Sequence, residues 1–325
     1  MVDPNPERNL VIDFRYHLIS LVAVFLALGI GILLGSATLG GENVTGRLET
    51  SIESIRTTND ELRADNAELI DRQSLSEEAL QVLAPTVLDG ALAGEQVVLF
   101  EFEGSDAGLM ESVRGAVEVA DGSIASTVTL TAKLALEDPE ARTELARILG
   151  SASVEPNELR AEVGATLGRR AATSADTPGF NVPDGNPSNR LQLFVDELEA
   201  ANFVTVERDE NLDLAPAGAL FVLAGGNLDD PLFDIGPLTT SLAVGLAGRE
   251  AGVLAAEPRN SLWGPAAAVR ADGEAGGIIA TVDQADIVLG QYAVAMGLQL
   301  AESGAPAHYG SEADTVPLPE PSPSS

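Results

Sequence analysis

The sequence predicts an α/β fold with a mainly parallel sheet, reached through a single N-terminal transmembrane helix and a coiled-coil stalk. Three observations carry this. An uncharged apolar run near the N-terminus is long enough to span a bilayer, a proline-free heptad stretch follows it, and past that short β-prone runs alternate with amphipathic ones. Hydrophobic residues make up 45% and charged residues 21% of the 325 positions, so a sizeable core is expected rather than wholesale disorder.

Residues 1–17 form a short stub, and 18–39, LISLVAVFLALGIGILLGSATL, the predicted span, whose only polar residues are Ser20, Ser36 and Thr38. A helix needs about 20 apolar residues to cross the hydrocarbon core. Gly35-Ser36-Ala37 offers a peptidase small residues, so a cleaved signal peptide is the rival reading. The length of the run and a leader that is acidic as well as basic favour an uncleaved anchor. Arg15 and His17 sit closer to the apolar edge than Arg47 does on the far side, which favours a cytoplasmic N-terminus and an extracytoplasmic remainder in the cell membrane. Ala27, Gly31 and Gly35 recur every four residues and mark a stripe where two such helices can pack closely.

In residues 42–84, Leu48, Ile55, Leu62 and Leu69 recur every seven positions. With these as d, the a positions are Ile52, Asn59, Asn66 and Gln73. Asparagine at a is costly in most bundles but pairs with its symmetry mate in a parallel two-stranded coil, fixing register and strand number. A homodimer is therefore expected, its stalk about 60 Å long at about 1.5 Å per residue. The alternative is a solitary amphipathic helix lying on the globular domain. Ala84-Pro85 is expected to end the helix, because proline steers its predecessor away from helical backbone.

The α/β region is read over 90–310. Strands are expected at 96–103, 126–130, 203–207, 219–224, 252–256 and 277–282, and helices at 108–120, 139–149, 156–170, 190–201, 238–248 and 287–301. The segment 177–189, TPGFNVPDGNPSN, reads as a loop that would divide the region into two halves. Residues 311–325, ending PLPEPSPSS, read as a disordered tail.

Lys plus Arg number 18 against 50 Asp plus Glu, a net charge of -32, which argues against a nucleic-acid partner. The absence of cysteine removes disulfides, thiolate metal sites and a Cys nucleophile. Of the two histidines, only His308 lies in the globular region, so a Ser/His/Asp triad would have to use it. No catalytic residue is assigned and no enzyme is expected. His308 and the carboxylates Asp229, Asp230 and Asp234 are weak candidates for a metal site, with solvated loop acids the competing reading. Gly225-Gly226 follows an apolar strand where α/β sheets often hold ligands, yet no phosphate-binding glycine motif or neutralising cation accompanies it. The expectation is a tight turn and no evident cofactor.

The stretch Val11-Ile12-Asp13-Phe14-Arg15-Tyr16-His17-Leu18, followed by SLVAVFLALGIGILLGS, resembles the N-terminal signature of the actinobacterial MctB family, the "copper transporter" envelope proteins. The other end agrees: Thr281-Val282-Asp283 with Gly290 and its helix, then His308-Tyr309-Gly310, resembles the family's C-terminal pattern. The resemblance covers nearly the whole chain. It implies a single-pass membrane protein with a coiled coil and a role in copper efflux or copper homeostasis; a related branch is associated with cell-wall and septal functions. Copper is implied by the resemblance alone, since the residues offer few soft ligands. A structural or scaffolding role with an envelope protein partner is the alternative.

Overall fold

The computed structural model describes residues 10–38, 41–176, 187–208, 212–248, 251–301, 307–312 and 315–319. The chain divides into two compact units after Gln73. The first holds α1 (Leu10–Thr38) and most of α2 (Gly41–Val87). Within α1, Arg15–Ser36 is long and apolar enough to cross a membrane, and none of that stretch is buried within the chain. Of the anticipated span, Leu39 lies outside the described residues.

Contrary to expectation, α2 continues through Pro85 to Val87. Proline forfeits its own N–H bond to the preceding turn and its ring crowds the carbonyl there, costs that here fall in the last turn of the helix; Leu88 still donates to the Ala84 carbonyl at 2.9 Å.

The second unit is built on a seven-stranded sheet of order β3-β2-β1-β4-β5-β6-β7. Its strands are β1 (Gln96–Phe102), β2 (Ser123–Leu130), β3 (Val204–Arg208), β4 (Leu220–Ala224), β5 (Val253–Ala256), β6 (Ala280–Val282) and β7 (His308–Tyr309). All neighbours pair in parallel except β2 with β3. Every residue of β4 and β5 is buried, the pattern of parallel strands covered on both faces. Period-two alternation sorts the side chains: Val98, Phe100, Phe221 and Leu223 join one apolar layer, whereas Val97, Leu99, Leu220 and Val222 join the other.

The first layer is closed by α4 (Pro139–Leu149), α5 (Pro156–Asp176), α6 (Pro187–Ala200), α7 (Gly236–Ala247) and α8 (Pro265–Ala271). The second is closed by α3 (Ala107–Val119) and α9 (Val288–Ala301). Leu159, Val163, Leu167, Ala171 and Ala175 form a buried stripe every four residues along α5. Beside it, Gly164 and Gly168 let α5 meet α7 backbone to backbone: a Cβ on either would come within 2.5 Å of the carbonyl of Leu238 or Leu242. The stripe carries α5 past the predicted end at Arg170 to Asp176.

Most anticipated elements are present within a few residues of their expected bounds. The strand expected over 277–282 is only Ala280–Val282, preceded by a short 3₁₀ turn, and α8 and β7 are additional. The predicted 177–189 loop falls largely outside the described residues, and α6 begins within it at Pro187. Strands from either side of that segment share one sheet. The tail expected to be disordered from Ser311 is docked at its start. Val316 donates to the His308 carbonyl at 2.8 Å, and the Asp283 carboxylate holds the amides of Ser311 and Glu312 at 3.0 and 3.1 Å.

Candidate functional site

In an open parallel sheet the natural ligand crevice lies beyond the carboxyl ends of the strands, where the order reverses. Here that place is between β1 and β4, and the chain fills it with itself. Gly226 has φ +126, and a Cβ there would come within 2.8 Å of Ser261 Oγ, the Trp263 carbonyl and Pro258 Cδ. A Cβ on Gly225 would stand 2.9 Å from Phe102. The helix after β1, which in nucleotide-binding sheets offers its N-terminus to a phosphate, is capped instead by the Asp106 carboxylate accepting from Leu109 N at 3.0 Å. A carboxylate there repels an anionic ligand. The Gly-Gly pair is therefore a tight turn under a closed crevice.

The concentrated charge lies one step along the same strand ends. Glu257 directly follows β5, Asp283 directly follows β6, and each is only 4% exposed. Both converge on Arg270, in the last turn of α8, at 3.5 and 3.3 Å, and Glu312 completes the set at 2.8 Å. The second oxygen of Glu257 accepts from Ala267 N at 2.9 Å in the first turns of the same helix. Gly264 precedes α8 so closely against Glu257 that a side chain there would collide with the carboxylate.

The two C-terminal stretches that resemble the family pattern are interlocked at this place. Parallel pairing sets Thr281 opposite His308 and Val282 opposite Tyr309. Thr281 Oγ1 and His308 Nδ1 are 2.9 Å apart, and Asp283 N donates to the Tyr309 carbonyl at 3.1 Å. Gly310, at φ +141, leaves the space that the Asp283 carboxylate occupies. Gly290 serves the same joint from α9, where a Cβ would run into the Gln284 carbonyl.

Burial pushes the Glu257 carboxyl up to about 7, despite the Ala267 amide and the Arg270 guanidinium that favour its charged form. Burial, with Arg270 nearby, lowers His308 below the ordinary imidazole value. The signs oppose. Glu257 binds its proton more tightly folded than unfolded, so its stabilisation is full below its unfolded value of 4.5 and is lost as pH rises through about 7. His308 costs stability as pH falls through its unfolded value of 6.5. Glu257→Gln, which mimics the protonated acid, should isolate the first effect. The parent minus variant stability should fall by about 2–3 kcal/mol between pH 5 and 7.5 in denaturant titrations; a flat difference would refute the assignment.

The weak metal candidates are not gathered. Asp229 offers its carbonyl to Trp263 Nε1 at 3.0 Å, and Asp234 accepts from Gly236 N at 3.1 Å ahead of α7. Asp230 is exposed, and His308 is on the edge strand with Nδ1 engaged. Among the described residues no three of His, Cys, Asp and Glu come together as a metal-holding group. Met110 and Met296 are packed in the apolar layer under α3 and α9.

In the N-terminal unit, Leu48, Ile52, Ile55, Leu62 and Leu69 are all exposed, and Asn59 and Asn66 lie between them on α2, also exposed. On α1, Ala27 is exposed, and Cβ atoms added at Gly31 or Gly35 would meet nothing within 4 Å. Arg15, Tyr16 and His17 are exposed at the start of the apolar stretch; the side chains of Asp13 and Phe14 lie outside the described residues.

Sequence reasoning did not single out Arg270, Glu257 or Glu312. One signal was available: a lone acidic residue closes each of two apolar strands, at Glu257 and Asp283. A charge placed at the buried end of a strand demands a partner.

Residues 11–319 match the family model described as "Copper transport outer membrane protein, MctB". The proteins named Copper transporter MctB from Mycobacterium tuberculosis and Mycobacterium bovis are each 26% identical over 318 residues, spanning 92% of this chain and 96% of the relative. That of Mycobacterium leprae is 27% identical over 320 residues, with the same shares. With the match running from the apolar N-terminal helix through the interlocked C-terminal joint, this chain belongs to the MctB family.

Proposed function

We propose that this protein serves copper efflux or copper homeostasis as a non-catalytic, membrane-anchored component that acts through a partner rather than as the conduit. The observation that carries the reading is the sheet itself. It is open, with β3 and β7 as its two edges, and both faces are covered by helices. A membrane barrel instead needs a closed ring of strands with alternating lipid-facing and lumen-facing residues. One apolar helix, Arg15–Ser36, suits an anchor, with the N-terminus in the cytoplasm and the α/β domain outside. Copper is the cargo, and the donor set does not suit a thiolate or thioether site for it, because cysteine is absent and Met110 and Met296 are core residues.

The test is a clean deletion strain, scored for copper tolerance and cell-associated copper. Copper sensitivity with raised internal copper, restored by the intact gene, is the expected result. Normal tolerance and copper content would overturn the reading. A second reading, scaffolding of the cell wall or septum, is favoured by the exposed heptad leucines of α2, which suit a paired stalk. It predicts altered envelope integrity or septation in the same strain with copper tolerance unchanged.

A further inference from the structure

The loops at the carboxyl ends of β1, β4 and β5 do more than close the crevice. They are bound to one another through Asn227. Its side chain donates to the Gly104 carbonyl at 3.1 Å, its carbonyl accepts from Leu262 N at 2.9 Å, and it forms an isolated antiparallel bridge with Trp263. Asp106 N donates to the Gly226 carbonyl at 2.9 Å, tying in the β1 loop. Leu228 follows Asn227 and Leu262 precedes Trp263, so the two leucines flank the bridged pair. They are 65% and 66% exposed, and Leu232, against Gly104, is 49% exposed. Three leucines are thus held in water by a hydrogen-bonded frame, and a frame of this kind keeps them from folding inward.

The rim has one sign. Glu103, Asp106, Asp229 and Asp230 are exposed in the same loops. The loops contain a single cation, Arg259, and it is paired with Asp286 at 3.0 Å. A second copy of a chain carrying a net charge of -32 is repelled from such a rim, as is an anionic lipid surface. We infer that this apolar, acid-rimmed surface docks a cationic amphipathic segment of another protein, its apolar side chains on Leu228, Leu232 and Leu262 and its Lys or Arg residues on the surrounding carboxylates. This deepens the partner reading above, and its test involves no copper phenotype, so the two stand or fall separately.

Trp263 is the only tryptophan of the chain, half-buried beside this surface and edge-on to Phe102 at 6.4 Å between ring centroids. Its emission is a built-in reporter. The full chain, in nanodiscs of zwitterionic lipid, is titrated with a tryptophan-free helical peptide of Leu and Lys, and in parallel with Leu/Glu and Lys/Ser counterparts. The expected result is a saturable change in emission with the Leu/Lys peptide only. In Leu228→Asp with Leu262→Asp the affinity should fall by about tenfold or more, even though the change adds negative charge. Should that variant fail to show the parent's thermal unfolding, Leu228→Ser with Leu262→Ser takes its place. An equal response to the Lys/Ser peptide would reduce the effect to general charge attraction, and an equal response to Leu/Glu would remove the role of the rim. Unchanged affinity in both double variants, a comparable response to zwitterionic vesicles alone, or self-crosslinking through position 262 would each overturn the proposal.

Discussion

Arg270→Met is expected to cost the α/β domain about 3–5 kcal/mol. The substitution keeps much of the side-chain volume and removes the one cation shared by Glu257, Asp283 and Glu312. Two of those carboxylates are 4% exposed and cannot turn to water. Asp283 retains the amides of Ser311 and Glu312, while Glu257, already displaced to about 7, can escape by taking up a proton. The loss should therefore be smaller at pH 5 than at pH 8. The measurement is denaturant unfolding of the full chain, read from Trp263 emission at both pH values. Arg259→Met is the matched control. Its pair with Asp286 is more exposed, 40% for the arginine side chain, and should contribute no more than about 1 kcal/mol. An Arg270→Met cost as small as the control, or one independent of pH, would show that the three acids do not depend on the guanidinium.

Ile55→Asp combined with Leu62→Asp should abolish chemical crosslinking of the full chain in membranes. The two residues are 65% and 63% exposed within one chain, so folding of the single chain gives them no burial to lose. In a parallel two-stranded seam each would bury against its symmetry mate, for about 1.5–3 kcal/mol per side chain. The variant forfeits that burial in both helices and opposes two pairs of like charges. Asn59→Ile with Asn66→Ile should do the reverse, tightening association while relaxing the preference for two strands. Crosslinking that persists unchanged in the aspartate variant would refute the seam and leave α2 a solitary helix, with Ala27, Gly31 and Gly35 the remaining self-association surface.

Much of the fold was legible because its cues are local. A helix repeats every 3.6 residues and a strand every two, so the run after Leu18, the leucines from Leu48 to Leu69 and the apolar strands at 97–102 and 220–224 can be read without knowing what they touch. The Asp138-Pro139 start and the Gly150 end of α4 are likewise local, a capping carboxylate and a left-handed glycine at φ +70. Helix α8 was missed for the opposite reason. Seven residues, PAAAVRA, are too few to hold a helix alone, and this one is held by Glu257 at its first turns and by packing of Ala266 and Val269. Strand β7, only two residues long, exists because β6 offers it an edge.

The sequence by itself determined that an apolar helix precedes a heptad helix and an α/β domain, that cysteine chemistry is absent, and that Thr281-Val282-Asp283 and His308-Tyr309-Gly310 resemble a family pattern. Only the tertiary structure decided what those last residues do. Arg270 meets Asp283 and Glu257 across 13 residues and Glu312 across 42, distances in sequence over which no periodicity operates. The same holds for the closed crevice and the three exposed leucines beside it, Leu228 and Leu232 from the loop after β4 and Leu262 from the loop after β5. Charge and hydropathy are properties of single residues; whether a carboxylate is buried against a guanidinium or left on a rim depends on which strand ends the sheet places side by side.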